Sequence, residues 1–337
     1  MKRLLLLLAA CGGSSAEPCP PGEFCTQLSS YELFDDIATQ TPAADLLPYS
    51  IHTPLFSDYT DKDRFIFLPP GTAMTWHDGD AFGFPEGAMV VKTFAYATDR
   101  RDPALGRRLL ETRLLVREAA GWTGASYVYG DGDQSDATLA VAGATLATSW
   151  IHDDGATREN QYAVPNKNQC KNCHAEHEDT FDVLGPKARH VANLQAFVDA
   201  GALVGAPPAA EWPKPIVATD PATGTVEERA RLWLDINCGN CHNARGGAAR
   251  TSGLYLDLSV TDLGSLGVCK PPVAAGTGSG GRLYGIVPGQ PDASILIYRI
   301  ESIEPEIKMP ELGRNLVHAE GVSLVREWVT QLAGSCD

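Results

Sequence analysis

Cys170-Lys171-Asn172-Cys173-His174 and Cys238-Gly239-Asn240-Cys241-His242 are two copies of one pattern, C-x-x-C-H. Two thiols three positions apart can each add to one of the two vinyl groups of a haem, and the adjacent imidazole then reaches the iron from one face. The pattern therefore predicts two haem c groups. Cys170, Cys173, Cys238 and Cys241 are the attachment points, and His174 and His242 the iron ligands. The four cysteines could instead hold zinc as two C-x-x-C pairs, which leaves both histidines without a role. A thioredoxin-like redox pair is the third chemistry open to C-x-x-C.

A low-spin c-type haem takes a second axial ligand. The chain has four methionines, Met1, Met74, Met89 and Met309. Met309-Pro310 follows His242 by 67 residues and precedes the last apolar stripe, so Met309 is expected on the second iron, with burial in the core as the alternative. His/Met ligation favours a relatively high potential. For the first iron, His177 lies only three residues after His174 and shares its side of a helix. His190 is expected to loop round to the opposite face. His52, His77, His152, Met74, Met89 and an empty sixth position are the alternatives.

The elements that must position these groups divide the chain. Apolar and polar residues partly alternate over Arg64–Leu68, Ala88–Ala97, Leu109–Arg117 and Trp122–Tyr129, with Gly, Pro and Asp clusters between them, which predicts short strands. Helical periodicity marks Val191–Leu203, Val226–Ile236 and Glu320–Leu332. Residues 150–169 read as a polar linker and 264–291, rich in Gly and Pro, as a long loop. The expected fold is α+β and multidomain. A β-rich, sandwich- or barrel-like domain (31–165) precedes an α-helical cytochrome c-type region, made of a first haem segment (166–215) and a second haem domain (216–337). Gly276-x-Gly278-x-x-Gly281 matches a dinucleotide fingerprint by letter, but it follows Pro271-Pro272 and not a strand.

The start of the chain, Met1-Lys2-Arg3 and then Leu4 to Ala10, reads as an export signal over 1–10. Leu8-Ala9-Ala10-Cys11 resembles a bacterial lipobox, so 11–30 is expected to be a tether lipid-anchored at Cys11, with the body in the periplasm. A plain secretory signal is the alternative. Lys and Arg number 27 against 42 Asp and Glu, for a net charge of −15. Such a surface repels phosphate backbones, which excludes nucleic acid and favours basic redox proteins as partners. The nine cysteines then divide into one anchor, four haem thiols and four others. Cys19, Cys25, Cys269 and Cys336 allow three pairings in an oxidising compartment, of which Cys19–Cys25 with Cys269–Cys336 is the simplest.

Thr53-Pro54-Leu55-Phe56-Ser57-Asp58-Tyr59, Val164-Pro165-Asn166-Lys167-Asn168-Gln169-Cys170, Leu184-Gly185-Pro186-Lys187-Ala188-Arg189 and Gly267-Val268-Cys269-Lys270-Pro271-Pro272 carry a further signal. In these stretches, and over about 31–332 as a whole, the chain resembles a family of uncharacterised bacterial dihaem c-type cytochromes with a β-rich N-terminal region. The resemblance implies a dihaem electron-transfer protein of the cell envelope, and it carries over both haem motifs and Met309. The leading expectation is a non-catalytic electron carrier with two low-spin irons. A dihaem peroxidase with one five-coordinate haem is the alternative, although its motifs usually lie much farther apart. A sensor in which the β-rich part binds a ligand is the third.

Overall fold

The computed structural model describes Cys19 and residues 23–176 and 180–336. The signal segment, Cys11 and His177 lie outside the described residues. Strands β1 (Leu46–Pro48), β2 (Asp61–Phe67), β3 (Met89–Ala97), β4 (Arg107–Glu118), β5 (Gly121–Tyr129) and β6 (Ala137–Leu139) form an antiparallel sheet, joined in chain order. The expected strands match β2 to β5 to within a few residues.

Side chains alternate across a strand, so the sheet has two distinct faces. On one, Phe65, Val91, Leu114 and Tyr127 pack with Leu28, Leu33 and Ile37 of the preceding segment. On the other, Phe94 and Tyr96 pack with Trp150, Tyr162 and Val164. These last three belong to a hairpin of β7 (Ala144–Ile151) and β8 (Thr157–Val164). The Tyr96 and Trp150 rings stack 4.2 Å apart. Half of the expected linker over 150–169 is therefore strand. Asn160 is one of its inward residues, and its amide donates to Asp58 at 2.9 Å.

Past residue 166 the structure corrects the expected fold class: the described residues form no α-helical cytochrome c-type region, and they are mainly β with short helices. The helices are α1 (Lys167–His174), α2 (Leu194–Asp199), α3 (Val226–Asn237), α4 (Ala249–Ser252), α5 (Ile295–Glu301) and α6 (Ala319–Gln331), with irregular chain between them. Proline removes a helical N–H donor, and Pro207, Pro208, Pro213, Pro215 and Pro221 crowd the span between α2 and α3. The helix expected over Val191–Leu203 shrinks to α2, because Val191 bridges to Ile51 and Gly201 turns left-handed at φ 65°. Only α3 and α6 keep their expected extents. A capping box of Thr225 and Glu228 starts α3.

The second core joins Trp233 and Leu234 of α3 to Val325, Trp328 and Val329 of α6. The segment 53–59 bolts this core to the sheet. Thr53 Oγ1 donates to the Ile216 carbonyl at 3.1 Å, and the Phe56 N–H donates to Asn237 Oδ1 at 2.8 Å. The Phe56 ring stacks on His318 at 4.5 Å. Asp58 accepts the N–H groups of Asn315 and Leu316, each at 2.8 Å. Cys19 pairs with Cys25 and Cys269 with Cys336, their Cα atoms 4.5 and 5.0 Å apart.

A candidate cofactor site between the two motifs

The first motif occupies the end of α1, and the second forms the turn that leaves α3. Cys238 ends α3 by donating its N–H to the Leu234 carbonyl at 2.8 Å, and the His242 N–H returns to the Cys238 carbonyl at 2.9 Å. Gly239 is required in this turn, because a Cβ there would lie 2.6 Å from the Asp235 carbonyl oxygen.

A cavity of about 790 Å³ opens between the motifs, within the range of roughly 300–1,000 Å³ typical of small-molecule sites. Cys173, Cys238, Cys241, His242 and Met309 all line it, with apolar walls from Leu296 and Ile300 of α5 and from Ile286. Met309 and His242 therefore line the same cavity. Its position is fixed by Arg314, a buried side chain that the sequence reading passed over. The guanidinium donates to the carbonyls of Met309 at 2.8 Å, Ile300 at 3.2 Å and Ser302 at 2.9 Å.

Both motif histidines present the same face to a ligand. His174 Nδ1 donates to the Asp182 carbonyl at 2.7 Å, and its ring stacks on Phe181 at 4.9 Å. His242 Nδ1 donates to the Leu254 carbonyl at 3.2 Å. A carbonyl accepts only, so each proton sits on Nδ1 and each Nε2 keeps a lone pair. Burial pushes His174 down to about 4, against the raising effect of Asp182. Burial likewise lowers His242. Both rings are neutral at pH 7, the state that binds a metal.

The four thiols differ. Cys238 is pushed up to about 12 by burial. Cys173 and Cys241 share a hydrogen bond, which lowers the first and raises the second. Cys241 Sγ also lies 3.7 Å from the Asn172 carbonyl, so the two motifs touch. Cys170 turns toward the sheet, near Arg113 and Glu111. The zinc alternative is not assembled: among the described residues no three His, Cys, Asp or Glu side chains gather as a metal-ion site.

His190 goes elsewhere. It is buried, and its Nε2 meets Asp235 Oδ2 on α3 at 2.8 Å, while Arg189 grips the same carboxylate at 2.7 and 2.9 Å. Burial lowers His190, and the His190 and Arg189 hydrogen bonds hold Asp235 far below the usual carboxylate range against its own burial. The ring nitrogen that would reach an iron is thus engaged in joining α3 to the segment after the first motif. The sequence could not reveal this, since Asp235 is 45 residues away. Comparison of the chain with protein-family models, with curated proteins and with solved structures finds no match.

Proposed function

We propose that this chain is a dihaem c-type cytochrome that carries electrons. The observation that supports it best is the paired state of His174 and His242: each neutral, each with Nδ1 held by a backbone carbonyl and Nε2 without a hydrogen bond among the described residues, each following two cysteines. When bound, a haem supplies a one-electron couple at its iron.

The chain's part is to hold, orient and shield. Cys238 and Cys241 would tether one haem, and His242 Nε2 and Met309 would be the ligands offered to its iron. Cys170 and Cys173 would tether the second, with His174 Nε2 as its ligand. Leu296, Ile300 and Ile286 would give the iron centre apolar surroundings on their side of the cavity, which favours its less charged form. Contact between the motifs at Asn172 and Cys241 would keep the two redox centres adjacent. The proposal extends to a periplasmic location, an anchor through Cys11, and basic redox proteins steered by the charge of −15.

The test is haem stoichiometry. A pyridine haemochrome assay on protein made in a host that matures c-type cytochromes should give two c-type haems per chain, and none would end the reading. Met309→Ala should lower one reduction potential and leave the other; two unchanged potentials would remove Met309 as a ligand.

A further inference from the structure

The sheet face beneath the first motif carries more positive charge than its described neighbours neutralise. The register of β2, β3 and β4 sets Arg64 opposite Lys92, and Lys92 opposite Arg113. Three cations thus form a row across three neighbouring strands, and like charges directly opposite one another destabilise a sheet. Lys62, two residues before Arg64, adds a fourth on the same face. In a chain of net charge −15, this concentration is not a by-product of composition.

Among the described residues the row is short of counter-charge. Glu111, fully buried, accepts Arg113 at 2.6 and 3.0 Å and the Tyr162 hydroxyl at 2.7 Å. Asp58 and Asp61 are near Lys62, but Asp58 is engaged by Asn315 and Leu316, and Asp61 faces Arg100 at 3.8 Å. Lys62 Nζ donates to the Thr60 carbonyl at 2.9 Å. Arg64 is 9% exposed, and its Nη2 is buried with no hydrogen-bond partner. Lys92 has no hydrogen bond or ion pair among the described residues, only the Phe94 ring at 5.0 Å, which Lys62 and Arg113 also approach, at 5.8 and 4.5 Å. Burial and mutual repulsion push Lys62 down to about 7 and Lys92 well down.

The first motif lies over the same face. Gly124 of β5 pairs with Leu115, which shares a face with Arg113. A Cβ at Gly124 would come within 3.1 Å of Phe181, the ring stacked on His174. Arg113 and Lys92 both act electrostatically on His174, and Arg113 acts on Cys170 as well.

We propose that Arg64, Lys92, Arg113 and Lys62 form a carboxylate-binding site that takes the two propionates of the haem tethered by Cys170 and Cys173. The assignment rests on the cytochrome reading. Glu111 offsets one of the four cations, and two propionates would offset two more. Buried charge-assisted pairs of this kind satisfy both partners where either alone is costly. The site would also raise the potential of that haem, because nearby positive charge favours the reduced iron.

The test uses the holoprotein. Wild type, Lys92→Met and Lys62→Met are first assayed for covalent haem, then titrated by spectroelectrochemistry. The expected result is two haems per chain in each. One potential falls in both variants by at least tenfold in the reduction equilibrium, about 59 mV for a one-electron couple, and the other stays put. Lys92→Arg should restore the wild-type value, and inorganic phosphate at constant ionic strength should produce no saturable shift. Two haems with both potentials unmoved in Lys92→Met and Lys62→Met would overturn the assignment and leave the cytochrome reading standing. A saturable phosphate effect would overturn it too, by showing the row open to a free anion. Absence of covalent haem from the wild type would overturn both readings before any variant is made.

Discussion

Asp58 accepts the backbone N–H of Asn315 at 2.8 Å, across 257 residues of chain. The same carboxylate takes Leu316 N–H and the Asn160 amide, so one 2%-exposed side chain joins the sheet, the hairpin and the loop after Met309. Asp58→Ala leaves these donors buried without an acceptor, at about 1–3 kcal/mol each. A loss of at least about 3 kcal/mol in urea unfolding is expected, and Asp58→Asn, which keeps one acceptor oxygen, should lose less. An unchanged midpoint in Asp58→Ala would show that the lock contributes nothing.

His318 sets a pH dependence. Burial pushes its imidazole down from 6.5 to about 4, and Nδ1 accepts the Trp233 indole N–H at 2.9 Å, which a protonated ring cannot do. Above pH 6.5 the ring is neutral in both folded and unfolded chains and adds no slope. Below it the unfolded chain takes up a proton that the folded chain refuses. Stability should therefore fall from pH 6.5 to about 4 by about 3 kcal/mol from this group. His318→Phe keeps the stack on Phe56 and should flatten that part of the curve; denaturation series between pH 4 and 7 measure it, and identical slopes would exclude His318.

Gly321 is where α6 meets α3. Glycine to alanine inside a helix ordinarily gains up to about 1 kcal/mol. Here the new methyl would sit 2.3 Å from the Trp233 indole nitrogen. Overpacking costs about 1–3 kcal/mol, and moving the indole also breaks its bond to His318, so Gly321→Ala should lower the thermal midpoint. A raised midpoint would mean that the two helices separate freely.

Cys269 and Cys336 close a loop with a sequence separation of 67. In the chain-entropy picture a loop of that length is worth about 4 kcal/mol. Cys336→Ser should cost up to that amount in the oxidised protein and nothing after reduction of the wild type, a difference that paired unfolding curves would reveal.

What could be read from the sequence followed from local rules. Helical periodicity announces α3, and alternation announces β2 to β5. β8 escaped because its inward residues include Asn160, a polar side chain that Asp58 satisfies from far away in the chain. The region after 166 looked helical because its three periodic stretches stand out, while the proline- and glycine-rich chain between them carries no period. At the site, C-x-x-C-H is legible by spacing alone. The contact between the motifs, the destination of His190 and the basic row are not. Arg64, Lys92 and Arg113 each read as an ordinary charge in an alternating strand, and only the register of three strands lines them up.

The clasp at Asp58 also bears on how the protein is made. Chains are synthesised from the amino end, so the sheet, whose last strand ends at Leu139, can form before Asn315 and Leu316 are made. Thr53 and Phe56 can engage Ile216 and Asn237 before they arrive, but the Asp58 clasp stays open until then; in the finished fold the thiol of Cys238 is 9% exposed. Any group joined covalently to that thiol needs such an interval. The long separation between Asp58 and its partners puts this clasp among the last contacts that the growing chain can complete.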